Sequence, residues 1–278
     1  MSYSSNLHHL GGAPIVALHS SASNGGQWSA LAADIDDRQR FIAIDLPGYD
    51  GLSKRPCDAN GMAAIADPVI EHIKKLKEPV HLVGHSFGGG VALKIALTSP
   101  ELVRSLTLYE PVAFQLMDPT SPADRHLLAP LQSIAAQLEG FTDASNGVSG
   151  MSAFIDFWNG QGSWQNLSAK QQGKITAQGP VVLSDLNHSM SENWAADELQ
   201  AIDVPTQIIM GMESPTLAQR MSTIVYEHIN HAELVMLPGL GQMAPLFAPD
   251  WVNPRIRRHI ARTERGIGNF SWPQRNAA

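Results

Sequence analysis

Cysteine is almost absent from this chain, which has one residue of that type, Cys57, among 278. A lone thiol excludes a disulfide within the chain, and Cys57 has no metal-ligand neighbour at a useful spacing. We interpret it as incidental. No cluster of His, Asp or Glu has ligand spacing elsewhere, so the sequence predicts neither a disulfide scaffold nor a metal site.

Charged residues are also scarce, at 16% of the chain against roughly 25% in an average globular protein. The 19 Lys and Arg residues and the 26 Asp and Glu residues leave a net charge of −7. This balance does not attract phosphate backbones or anionic lipids, so we expect neither nucleic acid nor a membrane as a partner. One basic cluster fits the solvated face and C-terminal end of a last helix. Its members are Arg255, Arg257, Arg258, Arg262 and Arg265.

Long hydrophobic runs are missing as well. No stretch approaches the ~18 apolar residues that span a membrane, and residues 1–12 lack an apolar signal core. The default location is therefore the cytoplasm. The chain does have a hydrophobic content of 44% over 278 residues, which predicts a single domain with a full-sized core. These features leave open whether the chain forms a homodimer.

Short apolar runs alternate with longer helical patterns along the chain. This rhythm is typical of βα units and predicts an α/β fold with a mostly parallel sheet flanked by helices. The predicted strands are residues 14–18, 41–45, 80–83, 102–109, 205–210 and 233–237. Because ligands bind outside the carboxyl ends of strands in such sheets, the loops that follow the strands are where function is expected.

The rhythm breaks between about residues 119 and 203, where no buried strand is evident. Helical patches are predicted there at 129–138, 151–158 and 193–202. Polar turns such as 143–150 separate them. We interpret this stretch as a helical cap inserted into a core made of about residues 1–118 and 204–265.

A Gly-x-Ser-x-Gly sequence at residues 84–88 places Ser86 between an apolar strand and a helix of small residues, 88–98. The pattern alone arises by chance in about one chain in ten of this length, given the usual frequencies of Gly and Ser. Its context makes it specific, because a serine on a tight strand-to-helix turn has a strained backbone and needs small neighbours. The turn exposes Oγ above a helix N-terminus, which favours negative charge. Ser86 is the candidate nucleophile.

These residues resemble the α/β-hydrolase family, in particular its capped bacterial members with a serine nucleophile. After the first strand, His19-Ser20-Ser21 looks like the family's His-Gly-x oxyanion loop, with Ser20 in place of glycine. Residues 45–53 are similar to its Asp-x-x-Gly-x-Gly-x-Ser loop with one residue inserted. The resemblance implies the α/β-hydrolase fold with a helical cap. Because only about a dozen residues precede the oxyanion loop, it also implies a sheet shortened at one edge.

The resemblance implies roles for individual residues. The backbone N–H groups of Ser21 and Phe87 become the oxyanion donors, and removing one such donor costs about 3–4 kcal/mol. His19 becomes a structural loop residue rather than a catalyst. The resemblance implies no metal and no organic cofactor.

The acid has two candidate positions. The family's usual position follows the strand at 205–210, where Gly-x-x-Asp is expected; Ser214 occupies the acid's place there and cannot act as a carboxylate. A second position, used by some members, follows the strand after the nucleophile helix, and there Glu110 precedes Pro111. We choose Glu110. Glu213 remains the alternative, although an N-cap or solvated role is more ordinary for it.

The family's last motif, Gly-His after the final strand, aligns with Gly241 and Gln242, so the catalytic histidine is missing. A carboxamide does not titrate near neutral pH and cannot activate Ser86 as a general base. By analogy with triad deletions, the expected loss of turnover is about 10⁴- to 10⁶-fold.

Three explanations are open: a His-to-Gln substitution in a competent hydrolase, a natural pseudo-enzyme, or a base supplied by His85 or His188. We favour the first, because the residues around Gln242 otherwise match the family's active-site loop.

An apolar pocket is predicted above Ser86. Its candidate walls are Phe114, Phe157, Trp158, Leu240 and Met243. Such walls suit a small hydrophobic molecule and exclude water during the reaction. We therefore predict a serine hydrolase scaffold for a small hydrophobic ester, or a related acyl or carbon–carbon substrate, acting through an acyl-enzyme. The alternative is a ligand-binding pseudo-hydrolase without catalysis.

Overall fold

A computed structural model describes residues 12–51, 61–139 and 144–266. Cys57 and the last two residues of the 45–53 loop lie outside the described residues. The strands are β1 Ile15–Leu18, β2 Phe41–Ile44, β3 Val80–His85, β4 Val103–Tyr109, β5 Thr206–Gly211 and β6 Ala232–Leu237. All six predicted strands are confirmed, because continuous apolar runs can be buried on both faces of a parallel sheet.

Ten α-helices occur in the described residues, together with short 3₁₀ segments at Gly25–Trp28, Pro100–Leu102, Phe114–Leu116 and Ala196–Ala201. The α-helices are α1 Ser29–Asp34, α2 Ala63–Lys74, α3 Phe87–Thr98, α4 Pro122–Glu139, α5 Ala144–Asn159, α6 Ala169–Thr176, α7 Gly179–Met190, α8 Thr216–His228, α9 Ala244–Phe247 and α10 Pro249–Glu264. None of them is long and apolar enough to cross a membrane.

The strands form one sheet in the order β2-β1-β3-β4-β5-β6, and every neighbouring pair is parallel. Side chains alternate between the two faces: Val16 and Leu18 join one core cluster, and Ile15 and Ala17 join the other. β2 lies at the edge and is only partly buried. Within the described residues, β2 is the last strand at this edge of the sheet.

Four of the five predicted arginines lie on α10, and Arg265 caps its C-terminal end. The apolar face of α10, with Val252, Ile256 and Ile260, is buried against the sheet. Arg257 and Arg258 point to solvent.

The segment between β4 and β5 is helical and contains α4 to α7. The patches predicted at 129–138 and 151–158 lie within α4 and α5, whereas 193–202 contains a 3₁₀ segment instead of an α-helix. Buried residues of this segment such as Leu131 and Met151 belong to the same core cluster as the central strands.

The turn predicted at 143–150 is wrong, because α5 begins at Ala144. The turn was predicted from the glycine, serine and asparagine content of this segment. In the structure Gly150 allows close helix packing, since a Cβ atom on it would lie 2.7 Å from Leu138 Cδ2. A glycine at this position lets α4 and α5 approach closely.

Candidate active site

The predicted site residues gather at the carboxyl edge of the sheet. Ser21 follows β1, Ser86 follows β3, Glu110 follows β4 and Gln242 lies in the loop after β6. Since all six strands are parallel, these loops meet at one edge. The sequence motifs therefore converge in space although they are far apart in the chain.

The backbone at Ser86 has the form expected of a nucleophile elbow. Its φ is +53° and its ψ is −116°, a region that non-glycine residues rarely occupy. Its N–H donates to the carbonyl of Tyr109 at 2.9 Å, and its carbonyl accepts from Val112 N at 3.0 Å. A Cβ atom on Gly88 would lie 2.4 Å from the carbonyl oxygen of His19, so only glycine allows α3 to approach β1 this closely.

Backbone strain is concentrated in this region. Four non-glycine residues among those described have a positive φ: Ala22, Lys77, Ser86 and Glu110. Three of them lie in the loops that form the candidate site, and only Lys77 lies elsewhere, in the turn before β3. Such conformations cost about 1–3 kcal/mol each and persist where the surroundings enforce them, which is characteristic of functional sites.

The loop after β1 borders the cavity beside Ser86. Ser20, Ser21 and Ala22 all line this cavity, and the N–H of Ser20 is engaged because it donates to Gln27 Oε1 at 3.2 Å. Phe87 is the first residue of α3, so its N–H lies at a helix N-terminus.

His19 has the structural position expected of it. Its Nε2 accepts from Leu46 N at 3.0 Å, and its Nδ1 lies 2.7 Å from the carbonyl oxygen of Ser20. The neutral ring thus ties the loop after β1 to the loop after β2.

Glu110 is buried, with 1% of its surface exposed, and its Oε1 is tightly held. This oxygen accepts from Gly211 N at 2.7 Å and from Ser214 Oγ at 2.5 Å. The family's usual acid position, occupied here by Ser214, is therefore in direct contact with Glu110. Glu213 is exposed at the cavity wall, and its N–H donates to the carbonyl of Leu240 at 2.9 Å.

The loop that carries Gln242 is held from below by two side chains of the sheet. His85 Nε2 donates to the carbonyl of Gln242 at 2.9 Å, and Tyr109 Oη donates to the carbonyl of Gly241 at 2.8 Å. Gln242 is 3% exposed. Within the described residues, both Gln242 Oε1 and Glu110 Oε2 are buried and accept no hydrogen bond. Two of the candidate site residues therefore each have a buried side-chain oxygen without a donor.

Neither alternative histidine is placed to act as the base. His85 Nε2 is engaged by the Gln242 carbonyl, the ring packs edge-on against Tyr109, and burial lowers the pKa of His85 to about 3. His188 is buried in α7, with its Nδ1 2.8 Å from the carbonyl of Gly61. Neither histidine lines the cavity.

A cavity of about 950 Å³ opens above Ser86, within the size range of small-molecule sites. Four of the five predicted wall residues line it: Phe157, Trp158, Leu240 and Met243. Phe114 does not, because it lies in the 3₁₀ segment after β4 and is buried in the main core cluster. Among the described lining residues the charged side chains are Asp156 and Glu213, and none is Lys, Arg or His.

Burial raises the pKa of Glu110 to about 7, and the hydrogen bonds from Ser214 and Gly211 oppose that rise. The unfolded chain releases this proton near its ordinary pKa of 4.5, so folding stability falls as the pH rises between about 4.5 and 7. We expect Glu110→Gln, which keeps the acceptor oxygen, to stabilise the chain at pH 8 by about 2 kcal/mol more than at pH 5. Urea unfolding at both pH values measures this.

Glu213→Gln is the matched control for that measurement, because it removes an exposed carboxylate beside the same loops. An equal stabilisation by Glu110→Gln at pH 5 and pH 8 would show that the carboxylate of Glu110 is not destabilised by burial.

A family model for the alpha/beta hydrolase fold matches residues 13–249 of this chain. The chain therefore belongs to the α/β-hydrolase-fold family, and the fold expected from its motifs is confirmed. Its 2-hydroxymuconate semialdehyde hydrolase relative in Pseudomonas sp. (strain CF600) is 37% identical over 109 residues, which cover 37% of this chain and 38% of the relative. A second relative, an abhydrolase domain-containing protein of Caenorhabditis elegans, is 34% identical. The chain spans less than two-fifths of the length of either relative.

Two further likenesses extend over most of the chain. The (E)-2-((N-methylformamido)methylene)succinate hydrolase of Acinetobacter baylyi is 22% identical over 263 residues, covering 91% of this chain and 92% of the relative. A thermophilic esterase structure from Thermogutta terrifontis superposes with a TM-score of 0.72 at 20% identity over 91% of each chain. The first relative is a hydrolase by name, and the second likeness shows the shared fold.

Sequence reasoning missed several residues that shape this site. It gave no role to Tyr109, and it dismissed Ser214, whose hydroxyl contacts Glu110. It did not single out Asp185, whose Oδ2 accepts from Ser21 Oγ at 2.6 Å. The pairing of Ser214 with Glu110 could have been found, because a serine at the usual acid position fits a carboxylate supplied by the neighbouring strand.

Proposed function

We propose that this chain is a serine hydrolase scaffold for small, uncharged, hydrophobic esters or related acyl or carbon–carbon substrates, with turnover conditional on residue 242. The observation that carries the proposal is the placement of Ser86. It has a strained elbow backbone and it lines the cavity, and Glu110 is buried at the end of the neighbouring strand β4. An ordinary glycine-rich turn has no need of this combination.

The reaction proceeds through an acyl-enzyme. Ser86 Oγ attacks the carbonyl carbon of the ester, and the residue at position 242 takes the Oγ proton in the same step. The N–H groups of Ser21 and Phe87 stabilise the oxyanion that forms. Collapse of that intermediate breaks the bond to the leaving alcohol, which receives the proton. A water molecule then hydrolyses the acyl–Ser86 ester by the same sequence, releasing the carboxylic acid and restoring the Oγ–H group.

Gln242 interrupts the proton transfer of this scheme. A carboxamide can hold Ser86 Oγ by a hydrogen bond, but it cannot accept its proton near neutral pH. Nucleophile, acid and oxyanion donors are retained, so the substitution at 242 removes one function and leaves the others in place. This favours a competent hydrolase that has lost its base.

The cavity walls favour an uncharged substrate. Aromatic and aliphatic side chains from α5 and the last loop form much of the lining, and the described lining residues offer no cation to a carboxylate. The relative from Acinetobacter acts, by its name, on a substituted succinate, which carries carboxylates. We propose that this chain differs from that relative in taking neutral esters.

Charge selection at the cavity wall is a testable consequence. In the Gln242→His chain, we expect kcat/KM for 4-nitrophenyl butyrate to exceed that for the anionic 4-nitrophenyl hemisuccinate by about tenfold, because Glu213 repels the second substrate. Glu213→Lys should narrow this ratio. Glu227→Lys, the same charge change at an exposed position that does not line the cavity, is the control and should leave the ratio unchanged. Equal ratios in all three chains would exclude selection by Glu213.

A second candidate is a pseudo-hydrolase that binds a small ligand in the same cavity, favoured by Gln242 itself. Labelling with an alkyl fluorophosphonate separates the two functions. In a hydrolase, Ser86 Oγ displaces fluoride from phosphorus and forms a stable adduct. We expect the Gln242→His chain to gain one adduct per chain at least 100-fold faster than the Gln242 chain, measured by intact-mass spectrometry.

Addition of Ser86→Ala should abolish this labelling. If the Gln242→His chain folds but labels no faster than the Gln242 chain, the hydrolase proposal fails. Tight ligand binding that survives Ser86→Ala would then support the pseudo-hydrolase.

A further inference from the structure

The cap contributes one buried acidic side chain to the loop that carries the oxyanion donor Ser21. Asp185 lies in α7 and is 2% exposed. Its Oδ2 accepts two hydrogen bonds of 2.6 Å, one from Ser21 Oγ and one from Tyr49 Oη. These contacts join positions 164 and 136 residues apart in the chain, so they form only when the cap is seated on the core.

Tyr49 extends the contact to the next residue of the loop. Its Oη accepts from the backbone N–H of Ala22 at 2.9 Å while donating to Asp185. Ala22 has a φ of +56°, a conformation that an alanine adopts only at a cost of about 1–2 kcal/mol. The bond from Ala22 N to Tyr49 helps to hold this conformation.

Three successive residues of the loop are thereby fixed. Ser20 is held by Gln27 through its N–H and its Oγ, Ser21 by Asp185, and Ala22 by Tyr49. The direction of the Ser21 N–H is set by the peptide plane that joins Ser20 and Ser21, and both residues are anchored by these contacts. Oxyanion donors are effective because they are oriented before the reaction and need no reorganisation during it.

We propose that Asp185 is a positioning residue for the oxyanion hole and that it makes this hole dependent on the seating of the cap. The inference rests on the proposed hydrolase function. Asp185 acts through Ser21 and Tyr49 and does not touch the substrate. A carboxylate near a developing oxyanion also repels it, so the two effects have opposite signs. The two short hydrogen bonds that Oδ2 accepts disperse its charge, and positioning therefore dominates.

The kinetic test uses the Gln242→His chain with Asp185→Ala, with Ser21→Ala, or with both substitutions; alanine is chosen at 185 because asparagine would keep an acceptor oxygen for Ser21 and Tyr49. Ser21→Ala retains the backbone donor and removes only the Oγ that Asp185 holds. We expect each single substitution to lower kcat for 4-nitrophenyl butyrate about 10- to 100-fold with less than a threefold change in KM, since one misplaced donor costs up to about 10²–10³. The double substitution should cost little more than either single one, because both break the same contact.

Glu192→Ala is the matched control for cap seating. Glu192 is also a buried carboxylate that follows α7, and it accepts from Met62 N at 2.8 Å and pairs with Lys94 at 3.1 Å. It contacts the core away from the oxyanion loop. We expect this substitution to leave kcat within threefold, so that a general loosening of the cap is separated from loss of the contact with Ser21.

Hydrogen–deuterium exchange gives a readout that does not require turnover. In the Gln242 chain, Asp185→Ala should speed amide exchange in residues 19–23 at least tenfold, and Glu192→Ala should not. If Asp185→Ala raises kcat, or if it leaves both kcat and exchange like the control, the positioning role is overturned. If no variant turns over any ester, the hydrolase proposal fails. The amide exchange of residues 19–23 then still tests whether Asp185 holds this loop in place.

Discussion

Ester turnover is expected to rise by about 10⁴- to 10⁶-fold when Gln242 is replaced by histidine. The surroundings of position 242 require no other change. His85 and Tyr109 hold the carbonyls of residues 242 and 241, so the loop is fixed independently of the side chain that it carries. Glu110 Oε2, which accepts no hydrogen bond from the described residues, is the acceptor that an imidazole N–H needs. With that bond made, the other ring nitrogen can take the Ser86 proton.

The gain is measured as the initial rate of release of 4-nitrophenol from 4-nitrophenyl acetate and butyrate. Gln242→Asn is the control for the substitution itself, because it keeps a carboxamide and should gain nothing. Ser86→Ala in the Gln242→His chain should return the rate to that of the Gln242 chain. A folded Gln242→His chain with no gain on either ester would mean that position 242 is not the base position.

The sheet could be predicted from sequence because its determinants are local. Each strand is a short apolar run ended by a polar or glycine-containing loop, and burial on both faces requires no more than that. The helical segment between β4 and β5 was harder to predict. Its helices are amphipathic and contain glycines, and Gly150 shows why composition is ambiguous there. The same residue fits a turn in isolation and a close helix crossing in the folded chain.

In the candidate site, too, local motifs could be predicted from sequence and contacts between distant segments could not. Ser86 and Gln242 could be proposed from sequence because each lies in a short motif with characteristic neighbours. The contact between Ser214 and Glu110 joins loops 104 residues apart, and that between Ser21 and Asp185 joins residues 164 apart. No local pattern encodes such contacts, since they depend on how the cap and the strands are brought together. The prediction that Phe114 lines the cavity was wrong for the same reason. This aromatic residue is near the site in sequence, but it is buried in the core.

The second large effect is expected at Glu110. In the Gln242→His chain, Glu110→Gln should lower kcat by about 10³- to 10⁴-fold, the size seen when a triad loses its acid. The carboxamide keeps an oxygen for Ser214 and Gly211, so the fold around it is preserved. It cannot stabilise the imidazolium that forms when histidine takes the Ser86 proton. The loss should therefore appear in kcat, with KM nearly unchanged.

Glu213→Gln decides whether the acid has been assigned correctly. Glu213 is an exposed carboxylate on the cavity wall, and its backbone N–H donates to the carbonyl of Leu240 in the last loop. In the Gln242→His chain, this substitution should leave kcat for a neutral ester within about threefold. The opposite result, with turnover lost in Glu213→Gln and kept in Glu110→Gln, would transfer the role of the acid to Glu213.

The raised pKa of Glu110 adds a further check, because an imidazole beside it would favour the carboxylate and shift its titration below about 7. The pH dependence of stability should therefore be smaller in the Gln242→His chain than in the Gln242 chain.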